Sequence, residues 1–353
     1  MNNMMNSILI EDVENIIKEN IGWEKLKNGT VIITGASGMI GMYSMAVLIA
    51  LNDVKNYNIK IIAVVRNEAK LPAFVRDRED VEVLLHDVTE PFEYEGNIDY
   101  IIHAASPASP LIMQNQPVET IAANTLGTFY TLELAKQKNS KGYIFISSRE
   151  IYGQPDEGQE YFFENTYGFV DQLNPRSCYS EGKKAAETMC VSFKEEYGLN
   201  VKIARLAHTY GPGMSIYDGR VQADFLKNVF HDEDIVLKSE GTAVRTYTYI
   251  SDAVSAIYRI LLSSDEMVYN IGNESCKVSI RQLAETLVDI YPEKRLKLVF
   301  DIPKGGTKGT APYTLGILNS EKIRSIGWDP KYGVKEGFKR TLEYLKEEAE
   351  KRG

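Results

Sequence analysis

Thr30-Val31-Ile32-Ile33-Thr34 runs directly into Gly35-Ala36-Ser37-Gly38-Met39-Ile40-Gly41, and a helical stretch follows to about Leu51. The first five residues are a short apolar, β-branched run of the kind buried inside a sheet. Glycines at a strand-to-helix junction permit a tight turn and let backbone N–H groups approach a pyrophosphate closely. The helix N-terminus adds a favourable dipole field. The spacing is GxxGxxG rather than GxGxxG, so the loop predicts a dinucleotide site from its place between strand and helix, not from the triplet alone. Gly35, Ser37, Gly38, Met39, Ile40 and Gly41 are the candidate cofactor-binding residues of this loop.

Outward from the loop, strands and helices alternate to Leu206. Strand patterns occupy Ile61 to Val65, Val81 to Leu85, Asp99 to His103, Tyr143 to Ser148 and Val201 to Leu206, with helices from about Pro117 to Gln137 and from Cys178 to about Tyr197. This predicts an α/β fold with a doubly wound parallel, Rossmann-type sheet and a smaller C-terminal α/β substrate lobe. From Asp218 the elements shorten. Asp218-Gly219-Arg220 opens a helix, Ser251 or Asp252 caps one that runs to Leu262, Val268 to Ile271 is a strand, and Ser279 caps a helix to about Tyr291. The expected organisation is an N-terminal helical extension (1–28) with an amphipathic helix from Ile8 to Ile21, a dinucleotide-binding domain (29–210) and a substrate-binding lobe (211–353) interleaved with it. The ligand cleft is expected between the two.

Ligands of open α/β sheets bind beyond the carboxyl ends of the strands, so the strand ends supply the remaining candidates. Arg66 follows the second strand, where an NAD site usually has an acid that accepts from the ribose 2′-OH. An arginine suits a 2′-phosphate, which keeps NADP open, but it also suits stacking on adenine or facing solvent. Asp87, with Val88 beside it, follows the third strand and either accepts from the adenine amino group or is a solvated loop acid. Ala104, Ala105 and Ser106 begin a stretch of small residues interrupted by Pro107 and Pro110, which disfavour helix and let the backbone lie close to a ligand. Asn124 lies on the helix that follows.

Tyr179-Ser180-Glu181-Gly182-Lys183 opens a helix, and a separation of four places Tyr179 and Lys183 on one face. A phenol is a poor base near neutral pH, and a neighbouring ammonium lowers its pKa. The pair therefore reads as a proton acceptor for a sugar or alcohol hydroxyl. Ser148, at the end of the fifth strand, is placed to hydrogen-bond such a hydroxyl and Tyr179 together, although a Ser-Ser at a strand end also serves as a turn or cap. Arg149 and Glu150 follow it and in an extended strand would point to opposite faces. The local backbone must turn for either to enter the cleft. Arg149 is a candidate partner for a substrate carboxylate, steering it from the rim, or is simply solvated.

The net charge of −9 and pI near 5.2 argue against a nucleic-acid binder, which would usually show a basic face. No apolar run reaches the length of a membrane span, and 1–7 has neither a basic nor an apolar signal region, so neither membrane insertion nor export is expected. The three cysteines, Cys178, Cys190 and Cys276, have no CxxC spacing and read as thiols of a reducing cytoplasm, with no metal site expected.

Taken together, these residues resemble the extended short-chain dehydrogenase/reductase family, the nucleotide-sugar epimerases and dehydratases, over roughly Val31 to Pro330. The likeness rests on Gly35, Gly38, Gly41, Asn124, Ser148, Tyr179, Lys183, Thr209-Tyr210-Gly211-Pro212, Arg245 before Asp252, and Gly327-Trp328-Asp329-Pro330. Within the family, His103 to Pro110, Arg176 to Lys183, Asp218-Gly219-Arg220-Val221, and Glu150 before Tyr152-Gly153 look most like UDP-glucuronate decarboxylases. The resemblance implies NAD as cofactor, a nucleotide-diphosphate sugar as substrate, and a homodimer. It implies proton and hydride chemistry by Ser148, Tyr179 and Lys183, with Lys183 holding Tyr179 ionised. It also implies a carboxylate role for Glu150, and Arg220 and Arg245 facing the diphosphate. Ser109, Arg149 and His208 are further substrate-binding candidates. Four departures stand out: Arg149 replaces a small or acidic residue, His208 an asparagine, Gly213 an arginine, and Arg66 the usual NAD-type acid. A transient 4-ketone would lead to loss of CO2 from a sugar with a C5 carboxylate, loss of water from a hexose, or epimerisation. A non-catalytic dinucleotide-sensing protein on the same fold is the reading of a different class.

Overall fold

The computed structural model describes residues 5–302 and 317–351. Its centre is a seven-stranded parallel sheet of β1 (Thr30–Thr34), β2 (Lys60–Val65), β3 (Val81–Leu85), β4 (Tyr100–His103), β5 (Gly142–Ser148), β7 (Val201–Leu206) and β11 (Val268–Ile271). The strand order is β11-β7-β5-β4-β1-β2-β3. Ile33 pairs with Ala63 on one side and Ile102 on the other, and Val31, Ile32 and Ile33 are fully buried. Such a strand must be apolar on both faces because helices cover both. From β1 the chain steps to β2 and β3 in one direction and then to β4, β5 and β7 in the other. The order thus reverses between β1 and β4, and a crevice opens beyond their carboxyl ends.

On one side of the sheet lie α1 (Ser7–Ile17), α2 (Met39–Lys55) and α7 (Ile250–Ser263). On the other, α4 (Pro117–Gln137), reached through the short α3 (Pro110–Asn115), packs along α5 (Cys178–Tyr197). Residues 211–353 do not stay together: α7 and β11 return to the large sheet, where Val268 pairs with Ile203 of β7. The rest builds a lobe from the three-stranded sheet of β8 (His208–Tyr210), β10 (Val244–Tyr249) and β12 (Lys277–Ser279). Two-stranded pairs flank it, β9 (Ile235–Leu237) with β13 (Leu298–Phe300) and β6 (Tyr161–Phe162) with β14 (Ile317–Leu318). The lobe helices are α6 (Val221–Phe230), α8 (Ile280–Val288), α9 (Glu321–Arg324) and α10 (Val334–Glu350). Ser279 caps α8 as expected, and the structure adds a reciprocal capping box with Gln282.

The start of α7 departs from expectation. Neither Ser251 nor Asp252 caps it; Tyr249 occupies the cap position without a side-chain bond, and both residues lie in the first turn. The Asp252 carboxylate instead accepts from the backbone N–H groups of Lys331 (3.0 Å) and Tyr332 (3.2 Å), while its carbonyl accepts from the Trp328 indole (2.9 Å). Burial pushes the Asp252 carboxyl up to about 7, against the pull of those two N–H groups. The Gly327-Trp328-Asp329-Pro330 turn is thereby fastened to α7.

Helix α1 is shorter than the predicted Ile8 to Ile21, because the chain leaves the helix at Lys18, yet Ile21 is still buried. The fully buried Asp12 joins four elements. It accepts from Arg340 of α10 (2.7 Å), from the Tyr249 hydroxyl (2.8 Å), from the Tyr332 hydroxyl (3.2 Å) and from the Tyr43 hydroxyl of α2. Asp12→Ala is expected to cost about 3 kcal/mol, the lower end for breaking a buried ion pair because Glu11 still reaches Arg340. Chemical denaturation measures it, and a loss within experimental error would show that the network does not hold the extension in place. Among the described residues no helix is long and apolar enough to cross a membrane.

Candidate active site

The crevice at β1 and β4 is shaped by close backbone approach. Gly35 has φ 66°, and a Cβ there would lie 2.9 Å from the Ala104 carbonyl and the Ala105 Cα. A Cβ at Gly41 would lie 2.4 Å from the Gly35 oxygen. Only glycines let the two turns touch at these positions. Helix α2 starts at Met39 with Gly38 as its cap residue and no side-chain cap. Its first-turn N–H groups, which have no partner within a helix, thus remain for an anion. Thr34 Oγ1 ties the strand ends together through His103 Nδ1 (2.7 Å) and the Ala105 N–H (3.2 Å). This cradle fits the pyrophosphate of a dinucleotide.

At the next strand ends, the Arg66 side chain is 74% exposed and only loosely paired with Asp87, at 3.7 Å. Burial pulls the Asp87 carboxyl upward, but hydrogen bonds from Thr89 and the Arg66 charge outweigh it and hold the group below the usual carboxylate range. A 2′-phosphate at Arg66 would meet this carboxylate, so the pair favours NAD over the NADP that Arg66 alone suggests. Val88 is buried under Gly127 of α4.

Ser106 and Asn124 are joined to each other at the edge of this cradle. The Ser106 hydroxyl donates to Asn124 Oδ1 (2.9 Å), and Asn124 Nδ2 donates to the Thr120 carbonyl (2.8 Å). Asn124 is fully buried, and a Cβ on Gly182 of α5 would lie 3.0 Å from its Cβ. Its side chain therefore sets how closely α4 approaches the helix that carries Tyr179.

Around Tyr179 the predicted residues converge. Alternation in β5 sends Ser147 back to Glu187 of α5 (2.5 Å) and leaves Ser148 facing the cleft. The Ser148 hydroxyl accepts from the Glu150 N–H (3.2 Å), capping a 3₁₀ turn over Arg149–Tyr152. That turn is the bend needed to bring Glu150 to the site. Glu150 accepts from Arg176 Nη2 (3.1 Å) and from the Ser180 hydroxyl (3.5 Å). Burial pushes the Tyr179 phenol up to about 12, the Glu150 carboxylate adds to this, and the hydrogen bond with Ser148 and the charges of Arg220 and Arg176 oppose it.

Lys183 Nζ donates to the Ile146 carbonyl (2.6 Å) and lies 4.5 Å from the centre of the Phe145 ring and 5.7 Å from that of the Tyr179 ring. Burial draws its pKa down to about 7, against the pull of Glu187. One expectation is corrected: Arg149 is neither at the rim nor solvated but 4% exposed, because the 3₁₀ turn folds it inward.

The far wall of the cleft is stitched across the two lobes. Ser109 donates to the Asp218 carbonyl (2.9 Å), and Arg220 Nη2 donates to the Ala108 carbonyl (2.6 Å). Arg245 on β10 holds the Val244 carbonyl (2.8 Å), and its charge, with those of Arg149 and Arg220, reaches His208. Gly213 has φ 85°, and a Cβ there would lie 2.6 Å from the Met42 methyl, so this backbone has no room for an arginine without moving Met42.

Sequence reasoning missed Arg176 as a site residue and the buried pair behind the site, in which Arg205 grips Glu187 (2.7 Å) and also the Tyr152 hydroxyl (2.7 Å). Arg176 stands three residues before Tyr179, a separation that carries no sign of its contact with Glu150.

The profile of the NAD dependent epimerase/dehydratase family matches residues 31–272. UDP-glucuronic acid decarboxylase 6 of Arabidopsis thaliana is 32% identical over 312 residues, 88% of this chain and 87% of that protein. The fold is shared with a UDP-glucose 4-epimerase of Thermotoga maritima solved with UDP-glucose (TM-score 0.74, 23% identity, 91% of this chain and 99% of that one). It is shared too with a dTDP-glucose 4,6-dehydratase of Bacillus anthracis solved with NAD (TM-score 0.71, 19% identity, 91% and 98%).

Proposed function

Since this chain belongs to the NAD-dependent epimerase/dehydratase family, we propose that it is a UDP-glucuronate decarboxylase acting through a transient 4-keto sugar. The observation that carries this reading is the convergence of Ser148, Glu150 and the buried Tyr179 in one cluster beside the glycine cradle. The similarity to decarboxylases supports this reaction over dehydration or epimerisation.

The loop of Gly35, Ser37, Gly38, Met39, Ile40 and Gly41 would hold the pyrophosphate of NAD, with Arg66, Asp87 and Val88 toward the adenosine, Ala104 and Ala105 along its path, and Lys183 at the nicotinamide ribose. When bound, NAD supplies a hydride acceptor and later a hydride donor, so it is recycled without net redox change. Tyr179 takes the O4 proton of the sugar, and the Ser148 hydroxyl orients that oxygen. The 4-ketone makes a C5 carboxylate a β-keto acid. The C5–C6 bond then breaks, its electrons pass into the enolate, and CO2 leaves. Glu150, held by Arg176 and Ser180, is the group assigned to C5. Arg220 and Arg245 carry the diphosphate, for which guanidinium forks are suited. The assembly is expected to be a homodimer in a reducing cytoplasm, consistent with three free cysteines and with Val118 and Phe129 exposed on α4.

A mass-spectrometric screen of UDP-, dTDP-, CDP- and GDP-sugars tests the reading. Loss of CO2 from a nucleotide uronate is expected; loss of water from a hexose, or a C4 epimer, would replace it with the dehydratase or epimerase reading. The dinucleotide released on denaturing the purified protein is expected to be NAD, and release of NADP alone would overturn the argument from Asp87.

A further inference from the structure

Three segments of the chain fix the Glu150 carboxylate. The first is its own 3₁₀ turn, Arg149–Tyr152. The second is the stretch joining that turn to α5, whose Arg176 donates to Glu150. The third is α5 itself, through the Ser180 hydroxyl. Behind the site one guanidinium reaches the same three segments. Arg205 of β7 donates from Nη1 to the Tyr152 hydroxyl (2.7 Å) and to the Glu164 carbonyl (2.8 Å). Its Nη2 and Nε both donate to the Glu187 carboxylate (2.7 and 3.1 Å). Tyr152 ends the turn, Glu164 lies in the stretch that leads to Arg176, and Glu187 lies on α5 with Ser180. The side chains of Arg205 and Glu187 are 11% and 10% exposed, and Tyr152 is fully buried.

The grip extends on both sides of Arg205. Its cross-strand neighbour Ser147 also donates to Glu187 (2.5 Å), and Lys183, one turn earlier on α5, donates to the Ile146 carbonyl (2.6 Å). Helix α5 is therefore fastened to the two residues of β5 that precede Ser148. On the other side, the Tyr152 hydroxyl donates to Asn270 Oδ1 of β11 (2.7 Å), and the Asn270 N–H donates to the Glu164 carboxylate (2.8 Å). A guanidinium spreads its donors over a rigid plane and can serve three separated partners, whereas an ammonium gathers its donors on one atom. A buried ion pair adds little net stability over apolar packing, and its best attested use is to fix register.

We propose that Arg205 is a positioning residue that acts through Tyr152, Glu164 and Glu187 to hold Glu150, Arg176 and Ser180 in the arrangement that brings the Glu150 carboxylate to the sugar. The claim rests on the proposed function for the role of Glu150, not for which bond breaks there. A misplacement of about 1 Å caused from outside the reacting groups can cost about 100-fold in rate, which sets the upper scale of the test.

Tyr152→Phe removes one hydroxyl from the hub and keeps the ring, which stacks on Phe162 with centroids 4.8 Å apart. The test is a double-mutant cycle on the NAD-loaded protein, run with the nucleotide sugar that the mass-spectrometric screen finds converted. Tyr152→Phe should lower kcat about 10-fold, the scale of one hydrogen bond to a charged group, and leave UDP affinity unchanged by calorimetry. In the Glu150→Gln background the same change should lower kcat by less than about 2-fold, because the group it positions is already gone. Arg205→Lys, which keeps a cation opposite Glu187, carries the same cycle if Tyr152→Phe does not fold. Equal fold-losses in the two backgrounds would overturn the proposal, since a merely structural defect acts whichever side chain stands at 150. Full turnover by Tyr152→Phe and Arg205→Lys would overturn it too. CO2 loss from UDP-glucuronate together with equal fold-losses overturns the positioning role alone. Water loss from a hexose, with the effect of Tyr152→Phe abolished by Glu150→Gln, overturns the decarboxylase reading alone.

Discussion

Tyr179→Phe is expected to lower turnover at least about 100-fold, the usual scale of a general base, while NAD remains bound. Phenylalanine keeps the ring that fills the buried space beside Ser148 and removes only the oxygen that accepts the substrate proton. The variant should therefore match the wild type in thermal stability and in the dinucleotide it carries. The environment also fixes a pH dependence. Because burial and the Glu150 carboxylate push the phenol up to about 12, its ionised fraction grows with pH across the neutral range. Wild-type turnover should rise accordingly and the residual rate of the variant should not. Near-normal turnover by Tyr179→Phe would remove the residue from the mechanism.

The second large effect is expected at Glu150. Glu150→Gln should slow CO2 release by about 100-fold or more, as for loss of a positioned acid–base group, and should weaken UDP binding far less. It carries a second signature of opposite sense. The Glu150 carboxylate raises the Tyr179 pKa, so neutralising it favours the phenolate, and the rising limb of the pH profile should move to lower pH even as the maximal rate falls. A lower rate with an unmoved limb would mean that Glu150 acts only through its contacts with Arg176 and Ser180.

Much of this arrangement is legible in the sequence where the signal is local. The run Val31 to Ile33 must be apolar throughout because both its faces are covered, and Gly35 and Gly41 are required by contacts within one turn. Ser279 announces its cap at the start of α8. What the sequence does not reveal depends on contacts between distant segments. The periodicity of α1 places Asp12 on the buried face but cannot name Tyr43, Tyr249, Tyr332 and Arg340 as its partners. Helical spacing puts Tyr179 and Lys183 on one face but cannot name the Ile146 carbonyl as a partner of Lys183. The 3₁₀ turn after Ser148 decides that Arg149 is inside. A strand pattern predicts opposite faces for Arg149 and Glu150 and cannot predict a cap made by Ser148 on the Glu150 N–H.

Incubating the purified, NAD-loaded protein with UDP-glucuronate, without added reductant, and following the nucleotide sugar by mass spectrometry tests the central claim most directly. The account predicts release of CO2 with formation of a UDP-pentose or UDP-4-keto-pentose. UDP-glucuronate recovered intact, from protein that converts a nucleotide hexose to a 4-keto-6-deoxy sugar or a C4 epimer, would contradict it.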